Sequence, residues 1–372
     1  MKICMLIEAW KPIWGGGQVH VWELCKRLVK NHNCKIDLYV MNLDGKKQES
    51  FFNGRLNISR IGKKTHFGFL PRLKWCREVI KTIKNKKYDL IHAHANLPGF
   101  PGKKMSKELG IPIIYTVHGF GAKAMKSMYG RGFKSTILAY LEKFLQTKMK
   151  YSKEISVDSR FLNQKNVNNP IVIPNGVDIK QFDSVSAKKS KKFKIIFVGR
   201  LHPQKGLSYL FDAVNLAKKD LKNTEFAIVG DGDLKEILKD KVKKLGLEKI
   251  IKFKGKLEGI KLIKEYKSSH LFILPSLYEG QPLTLLEAWA AKLPVLVTDV
   301  GDNNKFVVQD KDGWVVKPKD FGALANKLCY ILSKKSKILE EIGNRGYEKT
   351  KSKYSWRTMA KKTYDVYRSV LK

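Results

Sequence analysis

The chain has 372 residues, with 73 Lys or Arg against 34 Asp or Glu, a formal charge of +39. This length fits two domains at roughly 150 residues each, and its apolar runs fall far short of the roughly 18 residues a membrane span needs. A disordered or transmembrane chain is excluded. Five cysteines are scattered without C-x-x-C spacing, which argues against a disulfide framework or a zinc site and for a reducing, cytoplasmic setting. The opening MKICMLIEAW is strand-like and too short for a signal-peptide core.

Short β-branched runs alternate with helical stretches along the chain. Strands are predicted at Ile3–Ile7, Lys35–Val40, Leu90–His94, Ile113–Val117, Glu154–Val157 and Ile171–Ile173. After Pro174 the pattern restarts at Lys194–Val198, Glu225–Val229, Ile250–Phe253, Leu271–Leu274, Val295–Thr298 and Gly313–Val316. Such alternation predicts parallel sheets with crossover helices, and two series predict two doubly wound α/β domains, residues 1–175 and 176–353. An apolar stripe from Ser355 to Leu371 predicts a terminal amphipathic helix.

Open parallel sheets bind ligands beyond the carboxyl ends of their strands. After Leu271–Leu274 comes PSLYEGQPLTLLEAWA, in which Pro282 is expected to be the first helical residue. The amides of Leu283 and Thr284 then form an anion site at the positive end of a helix. Glu279 and Glu287 flank it, and carboxylates suit sugar hydroxyls rather than phosphate. Arg200 and Lys205, in VGRLHPQKG after another strand, are cations placed to clamp a diphosphate.

In the first half, Gly15, Gly16 and Gly17 could bring backbone amides against phosphate. A dinucleotide fingerprint would need glycine where His20 stands. His92 and His94 form H-x-H, but no Cys or carboxylate partners stand nearby, and metal is set aside there. His118, followed by Gly119, is the better polar candidate. The D-x-D of Asp231 and Asp233 sits among glycines that favour a turn.

Taken together, these residues resemble the retaining glycosyltransferases of the group-1 family (glycosyltransferase family 4), whose mark, Glu-x7-Glu, is here Glu279 through Glu287. The glycine loop, HAH, VHG, IPNGVD, VGRLHPQKG, VGDGDL and the YSW helix extend the resemblance over nearly the whole chain. It implies a GT-B fold, two Rossmann-like domains facing across a cleft, with residues 354–372 packing back on the first. It also implies hexose transfer with retention from a nucleotide sugar, a UDP-sugar or GDP-mannose, to a lipid, lipid-linked or glycan acceptor.

By this resemblance Arg200 and Lys205 hold the diphosphate, Glu287 the ribose hydroxyls and Glu279 the donor sugar, with Gly280, Leu283 and Thr284 in the same donor-binding loop. Gly16, Gly17 and His118 approach the donor from the first domain. Neither cofactor nor metal is implied, the leaving group being supported by cations and helix amides. Gln281-Pro282 replaces the Phe-Gly pair frequent in relatives, and Gln18 stands where many have Glu, which leaves the donor open.

Two other readings are weighed. An epimerase of the same fold would need further acid/base carboxylates, and no such pattern is present. A nucleic-acid binder would cluster Arg and aromatics, whereas 62 of the 73 cations are dispersed Lys. A compositional Lys bias explains the charge as well as any partner does. Two stretches do mix cations with apolar residues. One runs between His118 and Ser152, with Lys123, Lys126, Arg131, Lys134, Lys143, Lys148 and Lys150; the other has Lys63, Lys64, Arg72, Lys74 and Arg77 around Phe67, Phe69, Leu70 and Trp75. Both are compatible with core packing behind a solvated face, and both with peripheral binding to an anionic membrane surface.

Overall fold

A strand covered on both faces has no polar side to show, so its sequence reads as a continuous apolar run. Ile113–Val117 and Leu271–Leu274 are of this kind, with every residue buried. The computed structural model describes residues 1–46, 48–95, 97–119, 149–163 and 170–371. It divides into two units, Met1–Gly176 with Trp356–Lys372, and Val177–Ser355.

The first unit is built on β1 (Lys2–Leu6), β2 (Lys35–Met41), β3 (Glu49–Phe51), β4 (Leu56–Ile61), β5 (Leu90–His94), β6 (Ile113–Val117), β7 (Lys153–Ser156) and β8 (Pro170–Val172). They form one sheet in the order β3-β4-β2-β1-β5-β6-β7-β8. The sequence reading misses β3 and β4. β4 alternates apolar and polar residues near the sheet edge, so no continuous apolar run announces it, and buried Arg60 is held there by Asp44 and Glu49. β3 pairs antiparallel with β4, so the sheet is mixed rather than wholly parallel.

Strand order reverses beside β1, which lies between β2 and β5. Helix Gly16–His32 follows β1 and packs against the last helix, Trp356–Val370. His32 stacks on Tyr364 with centroids 4.1 Å apart, and the Tyr367 hydroxyl reaches His92 Nδ1 at 2.5 Å.

The second unit has β9 (Phe193–Val198), β10 (Thr224–Val229), β11 (Ile251–Gly255), β12 (Leu271–Leu274), β13 (Val295–Thr298) and β14 (Gly313–Val316). The order is β11-β10-β9-β12-β13-β14, with every pair parallel. Here the order reverses between β9 and β12, the strands whose following loops carry the candidate residues. Fully buried Phe197, Phe211, Phe226, Phe272, Trp289 and Trp314 fill the core.

Helix Leu283–Ala290 is fixed through Trp289, whose indole N–H donates to the Asp312 carbonyl at 3.0 Å. A Cβ on Gly346 of helix Ser336–Lys353 would lie 2.1 Å from the Trp289 ring, so glycine there admits the indole. Pro282 departs from expectation. It caps the helix in an extended conformation (φ −72°, ψ 122°) and Leu283 is the first helical residue. The ring constrains φ alone, so an extended ψ is equally open to it.

Candidate active site

In the second unit the loops after β9 and β12 are bolted together. Leu277 N–H donates to the Gln204 carbonyl at 2.7 Å, and the Gln204 side-chain amide donates to the Tyr278 carbonyl at 2.9 Å. Gly206 has φ +65°, and a Cβ on it would meet the Pro275 carbonyl oxygen at 2.0 Å. Only glycine allows this approach.

The contact brings Lys205 Nζ to 2.6 Å from Glu279 Oε1, and the Ser276 hydroxyl donates to the same oxygen at 2.5 Å. Ser276 is itself held, since Thr298 at the end of β13 donates to its carbonyl at 2.5 Å. The carbonyls of Glu279 and Gly280 rest on Gly301, 2.8 Å from where a Cβ would stand. The sequence reading assigns Lys205 to the diphosphate and Glu279 to the sugar. The structure joins the two, so the lysine's first partner is the carboxylate. Arg200 is exposed, and among the described residues its guanidinium makes no hydrogen bond.

Glu287, one turn into helix Leu283–Ala290, accepts a hydrogen bond from the Tyr266 hydroxyl at 2.8 Å. Burial pushes its carboxyl above the usual range, and the tyrosine's hydrogen bond pulls the other way. Burial, with the carboxylate alongside, raises the Tyr266 phenol well above its ordinary value. One carboxylate oxygen is therefore spent within the protein and the other is left for a ligand. The Thr284 hydroxyl is buried with no hydrogen-bond partner among the described residues, a state that a ligand at the helix start would relieve. Asp231 is exposed, accepts from the Gly232 amide at 2.9 Å and pairs with Lys235, which makes this segment a turn.

Sequence reasoning passed over Ser276 and Tyr266. Ser276 had a signal, its place two residues beyond β12; Tyr266 had none, lying on a different helix from Glu287.

In the first unit, Gly15 caps helix Gly16–His32 with extended backbone, and the Cα of Gly17 packs on the His118 ring, 3.7 Å from where a Cβ would stand. The Gln18 side chain donates to the Ala9 carbonyl at 3.3 Å, folding the loop back on itself. Glu8, buried, takes both arms of the Arg72 guanidinium at 2.6 and 3.0 Å. Arg72 is thereby engaged, though its guanidinium also lies over the Phe67 ring, 5.2 Å from its centroid, while Trp75 is buried in the core and does not belong to an exposed face. Phe67, Phe69 and Leu70 do remain exposed. Of the other basic stretch, residues 120–148 lie outside the described residues.

His92, with both ring nitrogens bonded (Tyr367, and Thr116 at 2.7 Å), is a satisfied core group. His94 Nδ1 lies 3.1 Å from His118 Nε2, and His20 donates from Nδ1 to Asn175 Oδ1 at 2.8 Å. Burial depresses the pKa of all these rings, that of His20 to about 4. The sequence reading set metal aside at H-x-H for want of nearby partners. Folding brings His20, from another element, beside His94 and His118, a juxtaposition that spacing could not show.

Two α/β units of this topology, their sheets parallel but for edge strand β3, define a GT-B protein. Residues 14–181 match the model of Glycosyltransferase Family 4, and residues 178–349 that of Glycosyl transferases group 1. The chain is 31% identical over 293 residues to the UDP-Gal:alpha-D-GlcNAc-diphosphoundecaprenol alpha-1,3-galactosyltransferase of Escherichia coli, covering 73% of each. It is 28% identical to an uncharacterized glycosyltransferase of Methanocaldococcus jannaschii, over 99% of this chain and 98% of that one. Among solved structures, the sucrose-phosphate synthase from Thermosynechococcus elongatus superposes with a TM-score of 0.86 at 20% identity, over 99% of this chain and 98% of that chain. The chain belongs to the group-1 glycosyltransferases.

Proposed function

We propose that this glycosyltransferase moves a hexose, with retention at the anomeric carbon, from a nucleoside-diphosphate sugar to a hydroxyl of a lipid-linked or glycan acceptor. The observation that carries the reading is the assembly at the switch between β9 and β12. There the Lys205–Glu279 pair, exposed Arg200, half-satisfied Glu287 and unpartnered Thr284 stand beside one helix start. Arg200 and the amides of Leu283 and Thr284 take the diphosphate, with Lys205 beside it tethered to Glu279. Glu287 accepts from the ribose hydroxyls, and Glu279, with Gly280, faces the donor sugar. In the first unit Gly16, Gly17 and His118 form a sugar-recognition corner of backbone and imidazole.

In the transfer, the bond from the anomeric carbon to the diphosphate oxygen breaks and the acceptor oxygen bonds to that carbon on the same face. The acceptor's proton passes to the departing diphosphate. Fixed cations and helix amides stabilise the charge that develops there. UDP-galactose is the first donor to try, because the Escherichia coli relative is named for it and for a diphosphoundecaprenol-linked acceptor.

The test is a donor screen with UDP-glucose, UDP-galactose, UDP-GlcNAc and GDP-mannose, read by released nucleotide and by protection against thermal unfolding. Protection by one donor and not the others, with anomeric retention in the product by NMR, is the expected result. No protection by any of the four would overturn the reading.

A further inference from the structure

Three imidazoles from three elements converge in the first unit: His20 in helix Gly16–His32, His94 at the end of β5, and His118 just beyond β6. One ring nitrogen from each lies within 4.8 Å of the others. We propose that these three side chains form a binding site for a single divalent transition-metal ion of the zinc type, with water completing its coordination.

Nitrogens on one such ion stand about 3.4 Å apart at tetrahedral angles, so the rings must turn inward to ligate, and the ring centres already stand at the separation this requires. Zinc–nitrogen bonds of about 2.0–2.1 Å at tetrahedral angles put the ring centres of two ligating imidazoles about 5 Å apart. Here the centroids are separated by 4.8 Å (His20 to His118), 5.3 Å (His94 to His118) and 5.8 Å (His20 to His94).

The hydrogen bonding points the same way. Asn175 Oδ1 can only accept, so His20 carries its proton on Nδ1 and presents a lone pair at Nε2. An outer hydrogen bond of this kind orients metal-ligating histidines generally. His94 and His118 share one proton between Nδ1 and Nε2, while His94 Nε2 is buried with no hydrogen-bond partner among the described residues. In either tautomer one nitrogen of the fully buried His94 stays unsatisfied, an uncommon state for an interior polar atom.

His92 stacks 4.0 Å from His94, but both its nitrogens are taken, so it supports the site without ligating. His118 is half-buried, the least enclosed of the three rings. Three neutral imidazoles select zinc, cobalt, nickel or copper over magnesium or calcium, which take oxygen ligands. Resting on the assignment of His118 to sugar recognition, one consequence follows: the ion would occupy that ring and inhibit transfer.

The test uses the full chain, stripped with chelator and titrated with Co2+ in the absence of any donor. One ion per chain, with the visible absorption of a low-coordinate nitrogen site and displacement by Zn2+, is expected. Asn175→Ala should weaken binding about 10–100-fold through the lost outer hydrogen bond. His20→Gln and His118→Gln, checked for folding by circular dichroism, should abolish it, while His66→Ala should not change it. No stoichiometric binding by the unaltered chain, or binding that survives in a folded His20→Gln, His118→Gln double variant, overturns the proposal. Because the titration contains no sugar nucleotide, its outcome is independent of the donor screen.

Discussion

Glu279 and Lys205 form a structural ion pair at the position where the proposed function puts the donor. Their side chains are 7% and 18% exposed at 2.6 Å, so either alone is a partly desolvated charge without its partner. Lys205→Ala is expected to cost about 1–3 kcal/mol of stability as well as donor affinity. Glu279→Gln keeps a side-chain oxygen for Ser276 and should lower transfer with a smaller stability loss. Urea unfolding beside steady-state kinetics separates the two effects, and a double-mutant cycle measures the coupling. Additive losses would show that the pair does not act as a unit.

Glu287 makes a prediction in pH. Its carboxyl is pushed up by burial, so the folded state holds its proton more tightly than the unfolded chain, and ionising it costs stability as pH rises from the ordinary carboxylate range through the raised value. In the proposed role the ionised carboxylate accepts from the ribose hydroxyls, so nucleotide affinity should fall as pH drops through that raised value. Tyr266→Phe removes the hydrogen bond that opposes the shift and should move the fall to higher pH. Glu287→Gln should abolish the pH dependence, weaken nucleotide binding by about 1.5–3 kcal/mol and leave the melting temperature at neutral pH no lower. Calorimetric titration of UDP and GDP across pH checks this, and an unchanged profile in Tyr266→Phe would refute the linkage.

Between elements, the positions that matter are glycines where backbone meets backbone. Gly206 and Gly259 both have positive φ, +65° and +56°, but nothing lies within 4 Å of a Cβ on Gly259, whereas one on Gly206 would strike the Pro275 carbonyl. Gly259→Ala should therefore cost only conformational strain, about 1–2 kcal/mol. Gly206→Ala should cost more and also weaken donor binding, because the loops after β9 and β12 must separate to admit the methyl group. Denaturant titration together with nucleotide binding distinguishes them, and equal losses in stability with unchanged binding would show that the loop contact is dispensable. Strands such as Leu271–Leu274 were legible because full burial leaves an unbroken apolar run, while β4 was not, because a strand near a sheet edge keeps polar residues that look like a loop.

At the scale of the molecule, the charge of +39 and the exposed Phe67, Phe69 and Leu70 lead to a prediction about membranes. No helix of the described residues is long and apolar enough to cross one. Reversible co-sedimentation with anionic vesicles, weakened by salt, is expected, since each Lys or Arg near such a surface contributes about 1 kcal/mol. Equal binding to neutral vesicles would show that charge is not the cause. Transfer is also expected to persist in EDTA, because the proposed support for the leaving group is Arg200, Lys205 and helix amides. Metal-reversible loss of activity would bring Asp231 and Asp233 back into consideration.

The amino-acid sequence by itself determined the two α/β series, most strand positions and the loops in which the candidate residues stand. Each of these follows from periodicity and chain-local turn chemistry, which depend on neighbours in sequence. Only the tertiary structure decided that Lys205 meets Glu279 across 74 residues, that Tyr266 takes one oxygen of Glu287, and that His20 joins His94 and His118. Sheet order brings those groups together. It is set by which strands pair across long crossovers, and that information is absent from any local window of the chain.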